Sequence, residues 1–572
     1  MSHFKNFKTV VYIPAGVAIR RPLEKFKSDY EFLEKYVGLD KVYLETFRGE
    51  TTEYEKLVEL RDFFELKGVE VAGGITTVYG SDDGKQRLFG TLCYSNKEMR
   101  DKIRGIAAYT AELFDEIILD DFYFTNCTCE ECIKAKGERS WPDFRRDLMK
   151  DVSENLITGP AKKINPGVKV TVKYPNWRES FHDTGYVPEV EPEIFDKIYT
   201  GTETRSPRYT DQHLPEYLSY ALMRWTDNIR NTENGGGWID TYQCWSIDRY
   251  LEQAYLTLLS RPEEIMFFQW SDLIEHRFTT PLGLILKQYD ELLDKLGKPC
   301  GIKTYIPFAS DGENHIEMRL GMQGIPVEMT PYFPDNGETV LLTESSLKDE
   351  DIADKLREHL LKGGNAVVTS GFAGGLDKKA WAELSEVRIT GRKINVDRYM
   401  DTDDREAGHS EHARPVLFPD IMHGNNASWS LLNGGSDDYM STLFIKSPYR
   451  KGRLYTLAVP ENPADLKFMP AAATDRIKFI LSDDVYISAV NTSLFCYDNN
   501  TFAVYRYVKD EIHPAKATVH IKRKASAIRD IVSGEEIKLQ ERVFRYDLEK
   551  VTEYVCDIFT EPGLIRAFEI ID

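Results

Sequence analysis

The chain has 572 residues, more than one hydrophobic core can serve, so about three to four domains are expected. Its hydrophobic content of 42% and aromatic content of 12% describe an ordered globular protein. A formal net charge of −20 argues against nucleic acid, which rewards a basic face, and no run of about 18 apolar residues offers a membrane span.

From the N-terminus, short apolar runs alternate with amphipathic stretches. The runs at 9–13, 41–46, 69–73, 116–122, 169–174, 197–202, 238–243 and 264–270 predict eight strands. The stretches 54–67, 97–114, 141–164, 214–230 and 247–260 predict helices between them. Such alternation implies a parallel sheet with helical crossovers, and eight units in about 300 residues match an α/β (β/α)8 TIM barrel. The alternative, a doubly wound open sheet, is weakened because no Gly-rich dinucleotide fingerprint follows the first strand. We divide the chain into a barrel at 1–298, a second α/β domain at 299–481 and a C-terminal β-sandwich at 482–572. The second segment predicts a strand at 338–343, a helix at 348–362 and a Gly-started strand and turn at 363–371. The third alternates with period two at 484–491, 501–507 and 516–521, between Asn-Asn and Ser-Gly-Glu-Glu turns, and closes with a strand at 564–571. The stretch 401–414, rich in Asp, Glu and His, is the candidate mobile loop.

Barrel enzymes carry their active sites at the C-terminal ends of the strands. Those ends offer Glu45 and Arg48 after strand two, Asp120 and Asp121 after strand four, and Lys173 and Trp177 after strand five. Glu203 and Arg205 follow strand six, Asp240 and Tyr242 end strand seven, and Trp270 and Asp272 end strand eight. Paired carboxylates with stacking rings are what glycoside hydrolysis requires: one carboxyl protonates the leaving oxygen, and the other attacks the sugar or activates water. Asp120 and Asp121 are adjacent, so on an extended strand one faces the axis and the other points away. Asp121, nearer the rim, is expected as the nucleophile, with Asp120 as its buried hydrogen-bonding partner; the alternative is a pair that caps a loop. Glu203 is the expected acid/base, the alternative being a structural ion pair with Arg205. Asp240 is the third catalytic candidate. Trp177 and Trp270 are expected as sugar platforms. Glu45, Arg48, Lys173, Arg205, Tyr242 and Asp272 are expected to bind substrate, through hydroxyls or a substrate carboxylate, with rim ion pairs as the alternative for Glu45 and Lys173.

Cys127-Thr-Cys129-Glu-Glu-Cys132 places three thiols in six residues on the loop leaving strand four, and Cys93 lies on the adjacent loop after strand three. A closed structural zinc site needs four ligands, and Cys93, Cys127, Cys129 and Cys132 would supply them beside Asp121; free thiols are the alternative. Cys244, Cys300, Cys496 and Cys556 are scattered, so the eight cysteines do not read as a disulfide framework. They fit a reducing compartment. With no apolar signal core at the N-terminus, a cytoplasmic location is expected, or a periplasmic one if a leader was removed. No Gly-x-Ser-x-Gly elbow, His-Glu-x-x-His or P-loop is present, and no organic cofactor is expected. His409-Ser-Glu-His412 reads as a solvated loop.

In the order and size of its segments the chain resembles the family 42 glycoside hydrolases, the β-galactosidases, over nearly its whole length. Members have a barrel, a second α/β domain related to class I glutamine amidotransferases that mediates trimerisation, and a small C-terminal β domain. Cys127-Thr-Cys129-Glu-Glu-Cys132, Asp143-Phe-Arg-Arg146 and the upstream Cys93 look like that family's zinc-binding segment. The resemblance implies a glycosidase with a structural zinc and a homotrimeric assembly. The family carries Asn-Glu at the end of strand four, with Glu as acid/base, where this chain has Asp120-Asp121. Its strand-seven nucleophile Glu is matched here only by Asp240. β-Galactosidase activity is therefore not carried over. An Asp at strand four with an acid at strand six looks more like the layout of retaining α-glycosidase and α-fucosidase barrels. No Cys lies between Gly301 and Leu481, which argues against amidase chemistry in the middle domain.

The expected function is exo-acting, retaining hydrolysis of a small oligosaccharide, in polysaccharide degradation. One alternative is a non-hydrolytic carbohydrate-binding protein on a degenerate barrel. Another is a sugar-acid lyase or isomerase with Lys173 as base and a divalent ion on Glu45, Asp121 and Asp240.

Overall fold

The computed structural model describes residues 2–79, 88–276, 278–334, 337–401, 406–410, 414–424, 427–436, 439–507 and 513–572. The chain forms two compact units, Met1–Asp294 and Lys295–Asp572. None of the described helices is long and apolar enough to cross a membrane.

The first unit is a TIM barrel. Among the described residues its strands are β1 (Lys8–Ile13), β2 (Lys41–Thr51), β3 (Glu70–Tyr79), β4 (Glu116–Leu119), β5 (Lys169–Tyr174), β6 (Lys197–Gly201), β7 (Asn234–Asp240) and β8 (Glu264–Phe268). They pair in sequence order, all parallel, and β1 closes against β8. Side chains alternate across each strand, so one set fills the barrel: Tyr12, Tyr43, Ile118, Tyr199, Trp238 and Met266 belong to one buried cluster. The opposite faces pack on helices such as Lys97–Leu113, which buries Ile103, Ile106 and Ala107 and is capped by Asn96 accepting from the Met99 N–H at 3.1 Å. The N-terminal end of the barrel is closed by an ionic plug. Lys41 Nζ lies 2.8 Å from Glu116 and 3.0 Å from Glu264, the first residues of their strands.

Two strand ends depart from the sequence expectation, and both matter for the active site. β4 stops at Leu119 and the chain turns at once, the Tyr123 N–H donating to the Asp120 carbonyl at 2.9 Å. β7 begins at Asn234, earlier than its apolar pattern suggests, because Gly235, Gly236 and Gly237 conceal it. A Cβ on Gly236 would lie 2.2 Å from the Glu264 carbonyl oxygen and 2.7 Å from the Tyr199 hydroxyl, so close strand approach requires glycine there. The helix expected over 141–164 is interrupted. Trp141–Val152 passes through a π-type turn, Ser153–Thr158, into Gly159–Ile164, where Pro160 lacks the N–H of a regular helix.

The second unit begins with a mixed sheet. Val327–Thr330, Ile302–Tyr305, Val340–Leu342, Asn365–Thr369 and Gly452–Leu457 are neighbours in that order and parallel. Tyr439–Tyr449, Trp429–Ser436, Arg398–Asp401 and Glu406–His409 extend it antiparallel, a half that the sequence pattern did not separate from loop. Within 401–414, residues 402–405 and 411–413, including His412, lie outside the described residues. The C-terminal strands form two antiparallel sheets that share one core, with Ile487, Val504, Val519, Ile558 and Phe568 in it.

Candidate active site

A cavity of about 510 Å3 opens at the C-terminal ends of the barrel strands. β5 delivers Lys173 to its floor, with the side chain 2% exposed. The Lys173 ammonium lies 2.8 Å from Asp121 Oδ2, 2.7 Å from Glu203 Oε1 and 3.9 Å from Asp120 Oδ1. Its fourth neighbour is the Trp238 ring, whose centroid is 4.2 Å away. Because β4 ends at Leu119, both aspartates reach the cavity lining. The strand alternation expected to send one of them away no longer applies. Asp120 is buried, whereas the Asp121 side chain keeps 25% exposure at the mouth, its carbonyl held by the Tyr186 hydroxyl at 2.8 Å.

Two guanidinium pairs flank this centre. Arg48 Nε is 3.0 Å from both oxygens of Glu45, and its Nη2 is 2.5 Å from Asp120 Oδ2. Glu45 also accepts from the Tyr12 hydroxyl at 2.7 Å and the Ala15 N–H at 2.6 Å. On the other side Arg205 grips Asp240 with both ends of its fork, Nε at 3.1 Å and Nη2 at 2.7 Å. Arg205 sits in the left-handed backbone region, at φ 57°, and its N–H donates to Gln253 at 3.2 Å. Glu203 and Arg205 are thus not partners of each other, although they are two residues apart. Asp272 accepts from the Thr241 hydroxyl at 2.7 Å and the Gln269 amide at 3.0 Å.

This network joins five carboxylates (Glu45, Asp120, Asp121, Glu203, Asp240) to three cations (Arg48, Lys173, Arg205), so negative charge is in surplus. The surplus determines where protons sit. Burial pushes the Asp120 carboxyl up, but Arg48 and Lys173 beside it prevail and hold it below the usual range. Burial and the neighbouring charges of Asp120 and Glu203 push Asp121 up to about 7, against the pull of Lys173. Glu203 is raised too, by burial and by Asp240. Its Oε2 is buried with no hydrogen-bond partner among the described residues. Burial disfavours the Lys173 ammonium, but its three carboxylates outweigh that and hold it protonated far above neutrality. A base role for Lys173, needed by the lyase alternative, does not fit this site.

Of the residues singled out in the sequence, Arg48, Asp120, Asp121, Lys173, Trp177, Glu203, Arg205, Asp240, Tyr242 and Asp272 all line the cavity. Glu45 does not; it is fully buried and fixes Arg48 from behind. Trp270 does not either, which corrects its expected role as a sugar platform. It is fully buried, 5.4 Å from Phe26 and 5.5 Å from Phe64, because it opens the helix Trp270–Glu275 rather than ending β8. The sequence reading missed Trp238, Phe268 and Phe122 in the lining. Trp238 was within reach: it lies two residues before Asp240 on β7 and must share its face.

The four thiols Cys93, Cys127, Cys129 and Cys132 come together beside the Asp121 loop, all Sγ atoms within 4.8 Å of one another. Cys93 Sγ is 3.5 Å from Cys132 and 3.7 Å from Cys129. A tetrahedral zinc with Zn–S bonds of about 2.3 Å has S···S edges of about 3.8 Å, so this donor set fits zinc. The Ser95 hydroxyl, 3.3 Å from Cys132 Sγ, is placed to donate to a thiolate there.

Residues 1–288 match the family model described as "Probable glycosyl hydrolase, catalytic domain". The chain belongs to this family. Residues 297–462 of the glycosidase match the second domain of the uncharacterized protein SSO3021, and 484–569 match "Probable glycosyl hydrolase, C-terminal domain". The uncharacterized protein SSO3021 of Saccharolobus solfataricus is 25% identical over 547 residues, covering 86% of this chain and 89% of that protein. Among solved structures, a catalytic mutant of Gan42B, a GH42 β-galactosidase from G. stearothermophilus, aligns with TM-score 0.65 at 12% identity, over 99% of this chain and 98% of that one. The β-galactosidase from Rahnella sp. R3 aligns with TM-score 0.60 at 12% identity, over 97% and 99%. The exo-β-1,4-mannosidase Op5Man5 from Opitutaceae bacterium strain TAV5 aligns with TM-score 0.50 at 10% identity, over 83% and 94%. These likenesses show a GH42-like architecture along the whole glycosidase. The family also sets aside the non-catalytic alternative.

Proposed function

We propose that this glycosidase is a retaining, exo-acting hydrolase of a small oligosaccharide, with Asp121 as acid/base and Asp240 as nucleophile. The observation that carries the assignment is the contrast between the two carboxylates. Asp121 stands at the mouth with its carboxyl pushed up to about 7, whereas both Asp240 oxygens accept from Arg205. A group near neutrality can give a proton and take one back in a single turnover. A carboxylate gripped through both oxygens by a guanidinium is held in one orientation, which suits a nucleophile that must meet the anomeric carbon. This reverses the sequence expectation of Asp121 as nucleophile and Glu203 as acid/base. Glu203 is 2% exposed with one oxygen on Lys173, and it serves better as the charge that keeps Asp121 protonated.

In the first step Asp121 gives its proton to the glycosidic oxygen while Asp240 attacks the anomeric carbon, and the leaving alcohol departs. The new Asp121 carboxylate is met by the Lys173 ammonium. In the second step Asp121 takes a proton from water as its oxygen attacks the anomeric carbon, which breaks the ester to Asp240. Trp177 and Tyr242 supply ring faces for the sugar. A cavity of about 510 Å3 suits a chain end rather than the run of a long chain, which supports exo action. The thiol cluster supports a structural zinc, and the family 42 likeness supports a homotrimer. The eight free thiols support a reducing, cytoplasmic setting.

The test is trapping. A 2-deoxy-2-fluoro aryl glycoside of the sugar that the enzyme cleaves should leave an ester on Asp240, and the first product seen by NMR should keep its anomeric configuration. An ester on Glu203 or Asp121, or an inverted product, would overturn the assignment.

A further inference from the structure

The second unit holds a smaller cavity, of about 200 Å3, whose lining the glycosidase reaction does not use. Helix Ala471–Lys478 contributes Asp475 and Arg476, Phe479 follows it, and strands Val485–Ser488, Ala515–Ile521 and Gln540–Tyr546 contribute Tyr486, His520 and Tyr546. The residues are built into position. His520 Nδ1 lies 2.9 Å from Glu553 Oε1, the Tyr486 hydroxyl donates to Glu553 Oε2 at 2.6 Å, and the His520 ring stacks on Tyr486 at 4.3 Å and 13°. The Arg476 guanidinium lies 4.1 Å above the Tyr546 ring, and the Tyr546 hydroxyl donates to the Arg476 carbonyl at 2.7 Å.

Three polar atoms of these lining residues are nevertheless buried without a partner among the described residues: Arg476 Nε, Arg476 Nη2 and His520 Nε2. Asp475 Oδ1 faces the Lys478 ammonium at 3.7 Å. The Arg476 and His520 side chains that carry the three unpartnered atoms are more than nine-tenths buried. Native interiors rarely leave polar atoms so, and three around one cavity call for an occupant. The unmet groups include the two Arg476 donors and His520 Nε2, which can accept while Nδ1 donates to Glu553. An anion would satisfy Arg476 but face Asp475 and Asp401, which also lines the cavity; a cation would face Arg476 and Arg542. Neighbouring hydroxyls of a sugar donate and accept at once, and the C–H face of a sugar ring packs on aromatic rings such as Phe479 and Tyr546, themselves 4.3 Å apart.

We propose that this cavity is an accessory binding site for one neutral sugar ring, separate in its residues from the catalytic cavity. An enzyme that hydrolyses glycosides releases such rings, so the ligand class is present wherever the enzyme works. The proposal needs the glycosidase class but not the roles given to Asp121 and Asp240.

Calorimetric titration of the full chain with D-galactose, D-glucose and D-mannose tests it. At least one sugar should bind with a Kd in the range of about 1 mM. Arg476→Met should weaken that binding at least about tenfold, the loss expected when a sugar hydroxyl leaves a buried donor. The same variant should keep aryl-glycoside turnover within about twofold, and Asp240→Ala should keep the binding. Arg542, half-exposed at the rim, gives a second variant that does not threaten the fold: Arg542→Ala should weaken binding at least about threefold. If no sugar binds, or if binding is lost in Asp240→Ala and indifferent to both arginine variants, the site does not exist. A crystal soaked in the sugar that shows water only in this cavity would overturn it equally.

Discussion

Replacing Lys173 by methionine removes the ammonium that Asp121 and Glu203 share, and its effect separates two roles for this lysine. At 2.8 Å from Asp121 and an effective dielectric of about 20, the attraction is about 6 kcal/mol, or about four pK units. Water entering the vacated space returns most of this, so a shift of about one to two units should survive. Asp121 is already up at about 7 from burial, Asp120 and Glu203, and without its counter-ion it moves higher. The first chemical step needs Asp121 protonated, so kcat/KM falls as pH rises through that value. In the variant the alkaline limb should therefore move up by about one to two pH units. The second step needs Asp121 as a base, so kcat at neutral pH should drop about ten- to a hundredfold. The assay is kcat/KM from pH 5 to 10 on an aryl glycoside with a poor leaving group, which reports the first step, and kcat on one with an activated leaving group, which reports the second. Circular dichroism would check the fold, since stripping a buried carboxylate of its partner costs about 3–5 kcal/mol unless the carboxylate protonates. An unmoved alkaline limb with KM alone raised would mean that Lys173 binds substrate and does not tune Asp121.

Asp121 itself should carry a stability penalty. A carboxyl raised from 3.8 to about 7 by folding contributes stability that is present below the unfolded value and lost as pH rises through the folded one. Asp121→Asn should therefore match the parent at pH 4 and exceed it by about 2–4 kcal/mol at pH 8 in urea unfolding. A gain of equal size at both pH values would contradict the shift. Trp177→Ala should raise KM about tenfold through lost stacking, while Trp270→Phe should lower Tm and leave KM alone; the opposite pattern would restore Trp270 as a platform. Elemental analysis should find about one zinc per chain, and Cys129→Ser should lose it and lower Tm by several degrees. Undiminished Tm after metal loss would leave the thiols without a structural role.

Much of the barrel was legible because its strands are short apolar runs, and β5 appears over the very span expected, Lys169–Tyr174. β7 was misplaced because three glycines carry no hydrophobic signal, yet they are what lets β7 lie against Glu264 and Tyr199. Reading polar residues at strand ends found the carboxylates, since position along a barrel strand decides which residues reach the mouth. It could not assign their roles. Those depend on which cation each carboxylate meets across strands, and the pairing of Arg205 with Asp240 rather than Glu203 is long-range geometry. Trp270 failed for a related reason: two residues past the end of β8, a helix begins and turns the indole into the wall.

The same pairing bears on the substrate. The sequence alone allowed Arg205 and Lys173 to receive a sugar carboxylate. Among the described residues, however, each cation of the cavity lining is already bound to carboxylates: Arg48 to Glu45 and Asp120, Lys173 to Asp121 and Glu203, and Arg205 to Asp240. Asp211 and Asp272 in the lining add further negative charge. An acidic sugar entering here would gain no free cation and would meet at least one uncompensated carboxylate, a like-charge encounter that costs several kcal/mol in a desolvated site. A neutral sugar meets the same oxygens as hydrogen-bond acceptors for its hydroxyls. We therefore expect aryl uronides to be turned over at least about a hundredfold more slowly, in kcat/KM, than the matching neutral glycosides. The gap should narrow in Asp272→Asn, which removes one of the repelling charges. Comparable rates for the two would mean that a guanidinium leaves its carboxylate to receive the substrate, and the nucleophile role that rests on Arg205 holding Asp240 in place would fall with it.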